Sequence, residues 1–223
     1  LLNKQDTIAG PVSSVLYGNN GSRAIALAHY AGHAVSTFSL TADNKFEPLQ
    51  NLTFNLTQPG PVKERQGAAF EHQVILDPAG QHLLVPDLGA DLVRVLCIDP
   101  ATNLLDEHEP IRLPAGSGPR HATFWSPAGD VRKGFDKNSK LYLFVVTELS
   151  NMVYGYSVTY LATGGMNFTQ VSSINTFGGA PIPKTALAAE ISVSVSTPLL
   201  PFLSFLLTRT SARQQVRSRL QPT

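Results

Sequence analysis

The sequence predicts an all-β fold, a partial β-propeller of about three to four four-stranded blades, and three observations predict it. First, a short apolar strand closed by a turn that ends in glycine recurs at residues 13–21, 72–80 and 121–129. Second, each recurrence is followed by a further apolar strand and then by two segments of rising polarity. Third, no amphipathic helical period precedes Lys184, so the helical crossovers that a parallel α/β sheet requires are missing.

The repeat accounts for each blade in turn. In two of the three turns a proline, Pro78 or Pro127, stands at the second position, where its preset backbone angle fits. The second strands, at 24–28, 82–86 and 141–146, read as continuous apolar runs, as strands buried on both faces do. Polar or glycine-containing corners follow at 29–33, 87–91 and 148–151, and strands of mixed polarity at 34–40, 92–98 and 152–160. More polar segments close the units at 46–54, 105–113 and 168–177, and a fourth unit opens at 189–194. Innermost apolar and outermost polar is the pattern of a propeller blade. The turn glycines Gly21, Gly80 and Gly129 recur at intervals of 59 and 49 residues, near the blade period once loop insertions are allowed. A β-sandwich also has short strands and frequent turns, but the fixed repeat with three matched positions argues against it.

After Ser194 the repeat predicts another turn and apolar strand. The chain instead passes Pro198 and Pro201 in a short apolar stretch and becomes basic through Arg209, Arg213, Arg217 and Arg219. Residues 1–194 are therefore read as a partial propeller. Residues 195–223 are read as an aberrant or divergent tail outside the fold, of the kind out-of-frame or unspliced translation would produce, or else as a basic interaction segment. The apolar stretch is too short and too rich in proline to span a bilayer. Leu1 to Asp6 resemble neither a signal peptide nor a transit peptide, and the natural N-terminus is expected upstream.

With 43% hydrophobic residues over 223 positions, the chain can bury a core. Seventeen Lys and Arg against sixteen Asp and Glu leave a net charge of +1, so no global field attracts it to nucleic acid or an anionic membrane, and neither is expected as a partner. Cys97 stands alone in an apolar run and is read as a buried small hydrophobe. No cofactor or metal is expected. Residues 116–119 enter a strand, whereas a phosphate-binding loop opens a helix, no Gly-x-Ser-x-Gly elbow occurs, and no spacing demands a metal. Four Asn-x-Ser/Thr sequons, at Asn20, Asn51, Asn55 and Asn167, are candidate glycan sites on turns. The compartment stays open between the cytoplasm, which is favoured, and secretion, and the oligomeric state is unread.

Five stretches together resemble the seven-bladed lactonase family, which includes 6-phosphogluconolactonases and the fungal carboxymuconate cyclase. They are residues 70–74 with Asp77-Pro78, then 85–91, 116–124, 147–151 and 188–191, in the family's order and at blade spacing. The resemblance covers residues 10–194 and implies a ring of seven blades, of which roughly half would lie here. It also implies a small-molecule lactone substrate and a site at the central mouth built from His72, Arg120 and Glu148. A further arginine in a Ser-Asn-Arg motif should complete that site, and no such motif follows Glu190.

Lactone hydrolysis needs an activated water, a stabiliser for the tetrahedral oxyanion and a proton for the departing alkoxide. His72 and Glu148 have titration properties suited to base and acid. Arg120, permanently charged and forked, suits the oxyanion or a substrate carboxylate or phosphate. His121 and Glu190 are further substrate-contact candidates. Each has a plainer alternative: His72 as a hydrogen-bonding plug, Arg120 as an interblade ion pair, His121 as a strand cap, Glu190 as a blade-to-blade hydrogen bond. Glu148 is the most telling, because a carboxylate ending a buried strand needs a partner or a purpose. Asp87 and Asp91, to either side of Gly89, are read as acceptors for turn amides. The resemblance makes a lactonase acting on a sugar-acid lactone such as 6-phosphogluconolactone the leading expectation. A lactonizing cyclase and a noncatalytic propeller used as a binding platform are the alternatives.

Overall fold

A computed structural model describes residues 2–18, 23–162, 164–193, 202–207 and 215–219. Asn20, Gly21 and Ser194, to which the sequence assigns a sequon, a turn and a strand end, lie outside the described residues. The fold is all-β, a partial propeller whose only helical element among the described residues is the short 3₁₀ turn Val131–Lys133. Two compact units divide the chain, Leu1–Gly116 and Ser117–Thr223.

The first unit carries two antiparallel blades in sequence order. One consists of β1 (Pro11–Tyr17), β2 (Arg23–His29), β3 (Ala34–Leu40) and β4 (Phe46–Thr53). The other consists of β5 (Ile75–Leu76), β6 (His82–Asp87), β7 (Leu92–Ile98) and β8 (Leu105–Arg112). Their shared core contains Ala24, Ala26, Ala28, Val35, Leu83, Val85, Leu96 and Ile98. β6 is buried throughout, as a continuous apolar run predicts. β2 alternates instead, with its alanines inside and Ile25 and Leu27 half-buried.

The second unit holds a third blade, β9 (Pro119–Trp125), β10 (Leu141–Thr147), β11 (Met152–Tyr160) and β12 (Met166–Asn175). It also holds β13 (Ala188–Val193), which pairs with β14 (Phe202–Leu207), which in turn pairs with β15 (Gln215–Arg219). Phe144, Val146 and Val153 pack there with Ala188 and Ile191.

Three readings are corrected. The inner strand expected from His72 is reduced to Ile75–Leu76, because the amide of Val74 donates to Ser13 Oγ at 3.2 Å, outside the ladder with β6. Cys97 is half-buried, not buried; burial, and then the carboxylates of Asp106, Asp77 and Asp99, push its thiol up, which disfavours the thiolate. Of the described sequons, Asn51 and Asn167 are exposed on the outermost strands β4 and β12 instead of on turns, and Asn55 is exposed just beyond β4.

The corner between second and third strands repeats in all three blades. Its last residue, His33, Asp91 or Asn151, adopts a left-handed backbone with φ of 53°, 54° and 53°. Histidine, aspartate and asparagine are among the side chains most tolerant of that region. In each corner the carbonyl of this residue accepts the amide that ends the fourth strand: Phe54 at 2.8 Å, Leu113 at 2.9 Å and Thr176 at 3.0 Å. The repeat legible in the sequence is thus also a repeat of backbone hydrogen bonding.

Candidate active site

Arg120 lies near the start of β9, and Glu148 directly follows β10. A register shift between Val146 and Thr147 lets Thr147 pair with Pro119. Beyond it the Glu148 amide donates to Gly118 O at 2.8 Å and the Leu149 amide to Ser117 O at 3.1 Å. Gly118 takes a left-handed backbone (φ +61°) with its Cα against Leu149, so a side chain at this position would collide with that leucine. The two strand ends held this way bring Arg120 Nε to 2.8 Å from Glu148 Oε2. Glu148 is buried and Arg120 half-buried. The ion pair lies within one blade, not between blades as the plainer alternative supposed.

A second Arg120 nitrogen, Nη1, donates to Ala189 O at 2.5 Å, at the start of β13. The neighbouring Glu190 places Oε2 at 3.0 Å from His121 Nδ1, while its Oε1 accepts the Ile191 amide at 3.0 Å. Burial pushes the Glu190 carboxyl up. The hydrogen bond and charge of His121, the Ile191 amide and the Arg120 charge outweigh it, and the net position is below the ordinary glutamate range. Four of the five expected site residues therefore meet in the second unit, with His121 and Glu190 tying β9 to β13.

His72 lies in the first unit. Its amide donates to Pro86 O at 3.0 Å, and Glu71 beside it forms an isolated bridge with Asp87. The imidazole stands edge-on to Tyr30 at 5.4 Å, and Tyr30 stacks on Phe70 at 4.7 Å. His33 adds a perpendicular contact to Phe70 at 5.2 Å and hydrogen-bonds Ala69 O through Nδ1. This aromatic setting was not read from the sequence. The only signal for it was the unusual density of His, Tyr and Phe at residues 29–33 and 70–72.

Beneath that segment lies a buried acid cluster. Asp87 accepts the amides of Phe70, Gly89 and Ala90 on Oδ1, at 2.9, 3.1 and 3.0 Å, and so acts as the turn acceptor the sequence suggested. Its Oδ2 also receives Arg94 Nε and Nη2, at 3.1 and 2.6 Å. Arg94 gives Nη1 to Glu107 at 2.8 Å and lies 3.8 Å over the Phe54 ring. Glu71, fully buried, has Arg94 Nε 3.5 Å away. Burial first, then the Asp87 charge, push its carboxyl up to about 9 against the pull of Arg94. One guanidinium faces two buried carboxyls here, so Glu71 is held as the neutral acid. Asp91 accepts the Gly116 amide at 2.6 Å on Oδ2. Among the described residues, no three His, Cys, Asp or Glu side chains group as metal ligands would.

Comparison with known proteins assigns the chain to a family. The family described as "Lactonase, 7-bladed beta-propeller" matches residues 1–200. The chain belongs to this lactonase family. A curated relative from Arthroderma benhamiae, named a probable 6-phosphogluconolactonase, is 31% identical over 189 residues, which is 85% of this chain and 44% of the relative. The 6-phosphogluconolactonase of Formosa agariphila is 26% identical over 171 residues, 75% of this chain and 44% of its own length. The lactonase-family chain thus spans less than half the length of these relatives. Among solved structures, the periplasmic gluconolactonase of Pseudomonas aeruginosa shares the fold with a TM-score of 0.67 and 22% identity, over 94% of this chain and 56% of that one.

Proposed function

We propose that this lactonase-family chain takes part in hydrolysing a sugar-acid lactone such as 6-phosphogluconolactone, using Arg120 and Glu148. The names of its curated relatives support the substrate class. The observation that carries the reading is the Arg120–Glu148 pair, a buried carboxylate joined to a half-exposed guanidinium where two strand ends meet.

Glu148 takes a proton from water as its oxygen attacks the lactone carbonyl carbon. Negative charge moves to the carbonyl oxygen, where the Arg120 guanidinium stabilises it; the same cation suits an anionic substituent on the substrate. The ring C–O bond then breaks, and the proton taken up by Glu148 passes to the departing alkoxide to leave a hydroxy acid. His121 and Glu190 contact the substrate's hydroxyls. A preformed donor of this kind contributes on the order of a hundredfold or more to turnover.

Turnover of 6-phosphogluconolactone tests the assignment. Glu148→Gln and Arg120→Ala are each expected to lose about a hundredfold or more while keeping the β-sheet circular dichroism of the parent. Unchanged turnover in both variants sinks the site. Specific product binding by the parent without turnover would favour a noncatalytic binding propeller.

A further inference from the structure

The left-handed corner residues do more than end a turn. In each blade the side chain of that residue reaches forward to the backbone of the segment entering the next inner strand. His33 Nδ1 bonds Ala69 O, Asp91 Oδ2 accepts the Gly116 amide at 2.6 Å, and Asn151 Nδ2 donates to Ala186 O at 2.8 Å. The tied residues stand three or four positions ahead of candidate site residues: Ala69 before His72, Gly116 before Arg120, Ala186 before Glu190. Three different side chains make the same connection, two through nitrogen to a carbonyl and one through a carboxylate oxygen to an amide. A connection kept while its chemistry changes is a geometric requirement and not a shared side-chain habit.

The left-handed backbone supplies the reach. With φ near +53° the corner residue's carbonyl accepts the amide closing the fourth strand, and its side chain is free to project onward. Two of the ties are themselves protected. Asn151 is buried, and its carbonyl also accepts the Thr176 hydroxyl at 3.0 Å. The segment tied by His33 is held again where the Leu88 amide donates to Phe70 O at 3.0 Å and the Phe70 amide donates to Asp87.

We propose that His33, Asp91 and Asn151 are positioning residues, one per blade, that set the strand entries presenting His72, Arg120 and Glu190. The assignment of Arg120 and Glu190 as site residues rests on the function proposed above; the ties do not. Loss of one tie should loosen one entry and leave the blade folded, because the strand ladders are untouched.

Glycine is the discriminating substitution. It keeps the left-handed backbone without strain and removes only the side chain, so His33→Gly, Asp91→Gly and Asn151→Gly separate the tie from the turn. Two measurements are made on the whole chain: amide hydrogen exchange along residues 69–72, 116–120 and 186–190, and binding of 6-phosphogluconate by titration calorimetry. Each glycine variant is expected to speed exchange in its own segment alone. Asn151→Gly, whose tie lies in the same unit as Arg120 and Glu190, should also weaken binding by roughly tenfold, the equivalent of one hydrogen bond. Asp91→Asn, which keeps an acceptor oxygen and tolerates the backbone, should restore the parental exchange rate. Exchange that stays at the parental rate in all three segments overturns the proposal, as does loosening that spreads evenly over the blade. If the parent binds no product, the proposed function fails, while the exchange pattern still decides the ties.

Discussion

Glu71 is buried beside Asp87 with a single guanidinium, Arg94, to serve both, and its chemistry follows from that shortage. Its folded-state value, pushed up to about 9, lies above the unfolded glutamate value of about 4.3. The native state therefore binds a proton the unfolded state has released. Its stabilising contribution is complete below the unfolded value and is lost as pH rises through about 9. Urea denaturation at about pH 6 and about pH 9 should show stability falling by up to about 1.4 kcal/mol per pH unit. Glu71→Gln, which keeps a neutral donor, should flatten that slope. An unchanged slope would place the proton elsewhere. Gly89, in the same corner, faces a steric limit. A Cβ there would lie 1.7 Å from the Ala68 carbonyl oxygen, so Gly89→Ala should cost on the order of 3 kcal/mol by the same assay. At this scale the sequence was only partly informative. Glu148 stood out because a carboxylate ending an apolar run demands a partner. Glu71 did not, because its burial depends on β7 supplying Arg94 across the sheet.

Strand identity was read most securely where burial is two-sided or the corner is regular. The third strands begin and end where polarity predicts, at Ala34–Leu40, Leu92–Ile98 and Met152–Tyr160. Each is bounded on one side by a left-handed corner that stops the preceding strand. β5 was over-read, because the pairing with β6 that Glu71 and His72 begin is interrupted where the Val74 amide turns to Ser13 instead. Burial within the elements sets the cost of truncation. Leu83→Ala in β6 and Leu143→Ala in β10, both fully buried, should each lose about 2–5 kcal/mol. Leu16→Ala in β1, at 60% exposure, should change stability by less than about 0.5 kcal/mol. Comparable losses at Leu16 and Leu83 would contradict the assignment of the core.

Taken as a whole, the chain has a net charge of +1 and two compact units, each with its own apolar cluster. With so little overall charge, the proposed recognition of an anionic sugar acid would come from local groups, Arg120 foremost. Ligand that binds only the folded chain stabilises it by mass action, so 6-phosphogluconate at about a hundred times its Kd should add about 2.7 kcal/mol. Arg120→Ala should abolish that gain, and salt should weaken it. An equal gain in the variant would move the binding site away from Arg120.

The amino-acid sequence by itself determined the blade repeat and the family, because periodic burial, turn glycines and short motifs are local properties. Tertiary structure alone decided which partners those residues meet. Arg120 pairs with Glu148 because two strand ends converge after a register shift. His121 meets Glu190 because β13 packs beside β9. The ties from His33, Asp91 and Asn151 to the next strand entry belong to the same class, since they join residues 25 to 36 positions apart whose proximity no local pattern encodes.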